Sequence, residues 1–131
     1  MIALDTNVLV RYLVEDDTTQ SAAAAAAIDR AVAKGEAMFV SDVVLCETAW
    51  VLAGSYKVKR TVIAALLRDL LHAKQLAFAA PDELTRALDA FVRGTGDFAD
   101  YLIREHARTA GCATVLTFDR ALLGDRGFTS P

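Results

Sequence analysis

Four short apolar runs, at residues 2–4, 38–40, 76–79 and 114–118, alternate with longer stretches that read as helices. Strands separated by whole helices are not joined by tight hairpins. Such connections favour parallel neighbours, with the helices packed on the sheet faces. The pattern predicts an α/β fold of three layers, α/β/α, around a mostly parallel, short-stranded sheet. The 131 residues carry no linker or repeat, so the chain reads as a single domain over residues 1–131. With 54% hydrophobic and 24% charged residues, it can build a core and does not have the composition of a disordered chain.

Local signals place the elements. Residues 2–4 read as a buried strand, and Thr6 or Asn7 is placed to cap the helix that runs on through Leu13. Residues 15–18 are a polar break. Residues 19–34 are alanine-rich and helical by propensity, the alanines reading as a close-packing face, and Gly35 stops the helix. Ser41 suits the cap of a helix over 42–53, ended by Gly54. Residues 61–73 form an amphipathic pattern with Val62, Ala65, Leu66, Leu70 and Ala73 on one face. Pro81 opens a helix to about residue 92. A further helix spans 98–110, and residues 120–123 read as a turn of helix before an irregular tail.

Four acids stand at apolar margins: Asp5, Glu47, Asp100 and Asp119. Asp5 and Asp119 directly follow apolar runs, the carboxyl-end position where open parallel sheets bind ligands. Glu47 lies in the first two turns of the helix after the second strand, facing the same edge. Asp100 begins the helix leading into the fourth strand, and its neighbours at i+3 and i+7, Ile103 and Ala107, put it on an apolar side. Carboxylates are costly to desolvate unless paired or bound to a cation, and their hard oxygens suit Mg²⁺ and Mn²⁺. Four converging acids therefore point to a metal site acting on a phosphate. Each also has a plainer reading. Asp5 and Asp119 are turn residues in that reading, Glu47 reaches solvent, and Asp97 with Asp100 forms a helix cap.

Other constellations carry less. The net charge of −3 does not advertise nucleic-acid binding, although clustered carboxylates would themselves lower it. Cys46 and Cys112 lack metal-ligand spacing and read as buried thiols. His72 and His106 read as surface or packing residues. Residues 56–60 are a basic run, most simply a solvated loop, with contact to phosphates as the alternative. Arg104 and Arg108 follow Asp100 on its helix as exposed charges, or as groups that touch phosphate or orient carboxylates. No apolar run is long enough to cross a membrane, which leads to the expectation of a soluble, cytoplasmic protein.

The motifs together resemble those of PIN-domain ribonucleases. Asp5-Thr6-Asn7-Val8-Leu9 after a short strand is similar to that family's opening. Glu47 within residues 41–52 resembles the second motif, Asp97-Phe98-Ala99-Asp100-Tyr101-Leu102-Ile103 the third, and Thr117-Phe118-Asp119 the fourth. The order and short length resemble the VapC toxins of VapBC toxin–antitoxin modules. The resemblance implies a Mg²⁺- or Mn²⁺-dependent endoribonuclease with Asp5, Glu47 and Asp100 as core acids and Asp119 in support. The roles of Asp97 and Asp100, ligand and cap, are open to exchange. Thr6, Asn7, Ser41 and Thr117 would orient carboxylates or waters. The implied partners are an RNA substrate, a VapB-like antitoxin and a second copy in a homodimer. A competing reading is a PIN-like binding module without catalysis. A haloacid-dehalogenase-type phosphatase would need a second acid at Asn7, and a receiver-like domain would need paired early acids and a late lysine.

Overall fold

The computed structural model describes residues 1–16 and 18–131, so Asp17 of the polar break lies outside the described residues. The chain forms two compact units, Met1–Ala79 and Ala80–Pro131.

The first unit contains β1 (Ile2–Ala3), α1 (Thr6–Val14), α2 (Thr18–Ala33), β2 (Met38–Phe39), α3 (Asp42–Gly54), α4 (Arg60–His72) and β3 (Leu76–Ala77). Its strands form a parallel ladder in the order β1-β2-β3, with Ile2 opposite Met38 and Met38 opposite Leu76. Flanking amides extend it, with Leu4 N–H donating to the Phe39 carbonyl at 2.9 Å and Val40 N–H to that of Ala77 at 3.0 Å. β1 lies at one end of this ladder, so Ile2 is exposed and only Leu4 of the predicted buried run is covered.

The helices begin and end close to where the sequence places them. Ser41 caps α3 through its Oγ, which accepts the Val44 N–H at 3.2 Å. The cap of α1 is Asp5, not Thr6 or Asn7. Gly35 closes α2 with a left-handed φ of 65°. Buried Ser21, Ala24, Ile28 and Ala31 lie on one stripe of α2, the close-packing face the alanine run suggested. On α4 the buried residues are Ile63, Ala64, Leu67 and Leu70, while Val62 is exposed. Apolar residues cover most of that helix surface, so periodicity alone admits two overlapping stripes. Packing selects the one rotated away from Val62.

The second unit contains α5 (Pro81–Arg93), α6 (Phe98–Thr109), β4 (Val115–Leu116) and β5 (Phe128–Thr129). Pro81 stands at the start of α5, where its missing N–H costs no hydrogen bond. α5 and α6 pack closely, with Phe91 and Phe98 edge-to-face at 6.3 Å between ring centroids. β4 and β5 pair in parallel, Val115 opposite Phe128. The tail is thus not irregular, and residues 120–123 are turn rather than helix. A two-residue strand has too little pattern to announce itself. Buried Phe128, which meets the Tyr101 ring edge-on at 6.3 Å, anchors β5. Gly127 precedes it at φ 93°, and a Cβ there would also crowd the Arg104 side chain, so the turn requires glycine twice over.

Among the described residues no disulfide joins the cysteines. Cys46 is half-buried and Cys112 exposed, which corrects the expectation of two buried thiols. No helix among the described residues is long and apolar enough to cross a membrane.

Candidate functional site

In the first unit Asp5 ends the β1 run and takes an extended conformation, φ −81° and ψ 160°, as the α1 cap. Its carboxylate makes no capping hydrogen bond, so the charge beside the first turn of α1 is not spent on the helix. The next residue, Thr6, is buried, and its Oγ1 donates to Glu47 Oε1 at 3.0 Å. That bond ties Glu47, an exposed residue of α3, to the residue adjoining Asp5. Ser41 is occupied in capping α3, its Oγ accepting the Val44 N–H. The Thr48 hydroxyl, fully buried beside Glu47 in sequence, has no hydrogen-bond partner among the described residues.

The basic run nearby is only partly a solvated loop. Arg11 Nη1 donates to the Tyr56 hydroxyl at 2.8 Å and to Asp16 Oδ1 at 2.9 Å, and its Nε donates to Gln20 Oε1 at 2.7 Å. The Tyr56 hydroxyl, followed by Arg11, holds the Asp16 carboxyl below the usual carboxylate range.

In the second unit Asp97 caps α6 and Asp100 occupies the third helical position. The Asp97 N–H donates to Asp100 Oδ2 at 2.8 Å, the return arm of a capping box. The cap reading and the ligand reading are therefore compatible, because this bond uses one oxygen of Asp100. Partial burial pushes the Asp100 carboxyl above the usual carboxylate range. The Asp97 backbone bond opposes the rise, and the charges of Asp97 and Asp119 add to it. Asp100 does not sit on the packed face of α6, which is Phe98, Tyr101, Leu102 and Glu105; Ile103 is 53% exposed. Its desolvation is that of a flank position, not of an apolar stripe. Asp119 follows β4 in a turn that Thr117 helps to shape, its Oγ1 accepting the Asp119 N–H at 3.0 Å. Asp119 Oδ1 accepts the Ala121 N–H at 2.9 Å.

Glu105 is the charged residue that the sequence reading overlooked. It is 1% exposed, and three arginines converge on its carboxylate. Arg86 Nε lies at 2.8 Å, Arg104 Nε at 3.3 Å and Arg108 Nη1 at 3.5 Å. Burial alone would raise its carboxyl, but Arg86, then Arg108 and Arg104, bring it below the usual range. The signal was available, since Phe98, Tyr101, Leu102 and Glu105 share one helical stripe. Arg104 and Arg108 are thus paired to Glu105, and among the described residues neither is seen to bond Asp100. His106 meets Glu83 at 3.0 Å, a helix-packing contact as expected.

Among the described residues no group of three or more His, Cys, Asp or Glu side chains is gathered to hold a metal ion. The two units instead carry the four acids as Asp5 with Glu47 and Asp100 with Asp119. These donors are all carboxylate oxygens, the set that suits Mg²⁺ and Mn²⁺ over softer metals. The like charges around Asp100 give a cation something to relieve. None of the curated proteins compared matches the chain. A family model for the PIN domain matches residues 2–124, across both units. With that match over nearly its whole length, the chain belongs to the PIN-domain family, a nuclease-type fold of the three-layer α/β/α class.

Proposed function

We propose that this single-domain protein is a Mg²⁺- or Mn²⁺-dependent endoribonuclease, the toxin of a VapBC-type toxin–antitoxin pair acting in the cytoplasm. The observation that carries the reading is membership of the PIN-domain family with an acid at each of four motif positions, Asp5, Glu47, Asp100 and Asp119. These four carboxylates are the groups that would hold a metal. When bound, the metal supplies charge neutralisation at the scissile phosphate and lowers the pKa of an attacking water. The chain then needs no nucleophilic side chain of its own. Its residues bind and orient. Thr6 holds one oxygen of Glu47, the Asp97 N–H holds one oxygen of Asp100, and Thr117 shapes the turn that presents Asp119. Exposed Val43 and Trp50, on the same side of α3 as Glu47, support contact with a second copy or a VapB-like antitoxin.

The test is cleavage of total RNA by the purified protein with Mn²⁺. Discrete fragments that disappear in EDTA are the expected result. No cleavage and no Mn²⁺ binding by calorimetry would favour a non-catalytic module instead. A narrower expectation concerns Thr6. Replacing it with Val keeps its shape and removes its hydrogen bond to Glu47, which should slow cleavage by about 10- to 100-fold, the range for groups that orient metal ligands. Thr6→Ser should recover most of the rate, and equal rates for Val and Thr would show that Glu47 needs no orienting.

A further inference from the structure

The second unit holds two cavities of about 230 Å³ each that share Arg104 and Arg126 in their walls. Arg93 lines the first and Arg108 the second, so four guanidinium groups border the pair. Among the described residues Asp125 is the one carboxylate lining either cavity, and its Oδ2 is engaged by the Tyr101 hydroxyl at 2.6 Å. Glu105, buried behind Arg104 and Arg108, offsets part of this charge, and Arg93 and Arg126 keep the surface positive in a chain of net charge −3.

The arginines differ in kind. Arg104 is seated. Its Nε faces Glu105, its Nη1 donates to the Arg126 carbonyl at 3.0 Å, and its guanidinium lies over the Tyr101 and Phe128 rings at 5.2 and 5.7 Å. The fork is fixed yet keeps donors to spare. Arg93 and Arg126 are exposed, and neither side chain has an ionic partner among the described residues. Two exposed cations beside a preorganised third suit a ligand with repeated anionic charge.

The small residues between the arginines narrow the class. Ala90, Gly94, Ala107, Ala113 and Gly127 are small, and with only Tyr101 and Val115 as larger apolar neighbours among the described residues the lining gives little to the apolar anchors that a peptide uses. Guanidinium forks and the Thr114 hydroxyl suit phosphate oxygens. Arg104 also lies one helical turn along α6 from Asp100, a rise of about 6 Å. We propose that the adjoining cavities form a groove that holds the backbone phosphates of an RNA strand, through Arg93, Arg104 and Arg126, in the stretch next to the one Asp100 serves. This rests on the ribonuclease reading of the same unit and adds the residues that grip the substrate away from the acids.

The experiment measures binding of a fluorescent single-stranded RNA in EDTA, where no cleavage occurs, across a series of KCl concentrations. The proteins are the full chain, an R93A/R126A variant and an R30A/R68A variant that loses equal charge from the first unit. R93A/R126A should bind about tenfold more weakly, and its salt slope should shrink by about 1.4, for two phosphate contacts at about 0.7 each on a single strand. R30A/R68A should match the unaltered protein. Equal loss in both variants would reduce the effect to bulk charge and overturn the groove, as would unchanged binding by R93A/R126A. Competition by poly-glutamate as strong as by RNA, or by inorganic phosphate at equal phosphate concentration, would overturn the RNA assignment. RNA cleavage with Mn²⁺ by a protein whose groove variant binds normally would defeat the groove alone. Groove binding without cleavage would defeat the nuclease reading alone.

Discussion

Asp5→Asn is expected to lower RNA cleavage by at least about a thousandfold while leaving the thermal transition within about 2 °C. Asparagine has the size of aspartate and is as good a helix cap, so α1 should start where it does now. The native carboxylate makes no capping bond, so folding loses little when its charge goes. What changes is the capacity to hold a divalent cation. A metal ligand contributes several kcal/mol to the charge stabilisation of the reacting phosphate, and about 4 kcal/mol is already a thousandfold in rate. Single-turnover cleavage with Mn²⁺, beside a calorimetric melt of the same sample, separates the two effects. Undiminished cleavage would remove Asp5 from the mechanism, and a collapsed melting transition would assign the loss to folding.

Glu105→Ala should destabilise the protein by about 3 kcal/mol, lowering its melting temperature by about 10 °C. Deleting one partner of a buried ion pair strands the other. Here Arg104, 15% exposed, is the stranded one, while Arg86 and Arg108, at 46% and 59%, can turn to water. The cost therefore falls at the lower end of the range for broken buried pairs. The effect also depends on pH with a defined sign. The arginines hold the folded carboxyl below its unfolded value, so its stabilisation is complete above about pH 4.3 and is lost as pH falls through the lower folded value. Glu105→Gln keeps the volume and removes the titration. Urea unfolding between pH 3 and 7, in roughly half-unit steps, should show a loss of stability at the acid end that this variant lacks. Identical acid profiles would mean that Glu105 is neutral in the fold.

Most helix boundaries were legible because their signals are local. Ser41 caps, Gly35 turns left-handed and Pro81 opens α5, each within a few residues of the boundary it sets. What eluded the sequence depends on distant partners. Each strand holds two residues because its ladder ends where its neighbour's does, which nothing inside the strand encodes. β5 is too short to show an alternating pattern, and only pairing with β4 reveals it. The α4 stripe was ambiguous until packing chose between two apolar rows. The acids were conspicuous as residue types at motif positions. That Thr6 fastens Glu47, and that the Asp97 N–H takes one oxygen of Asp100, needed coordinates. Glu105 did not stand out because it lies at neither a strand end nor in the first two turns of a helix, where the four acids stand, but in the packed stripe of α6.

Tyr101 couples two loops through one oxygen. Its hydroxyl accepts the Gly96 N–H at 3.0 Å and donates to Asp125 at 2.6 Å, and Gly94 leaves no room for a Cβ against its ring. Arg93 ends α5 just before the first loop and Arg126 follows Asp125 on the second, so the Tyr101 bridge helps to set their spacing. Width and charge along this surface are consequently separate inheritances. A change at position 101 would alter how far apart the cations stand without altering their number. A change at 93 or 126 would do the reverse, so a lineage can adjust grip and gauge one substitution at a time.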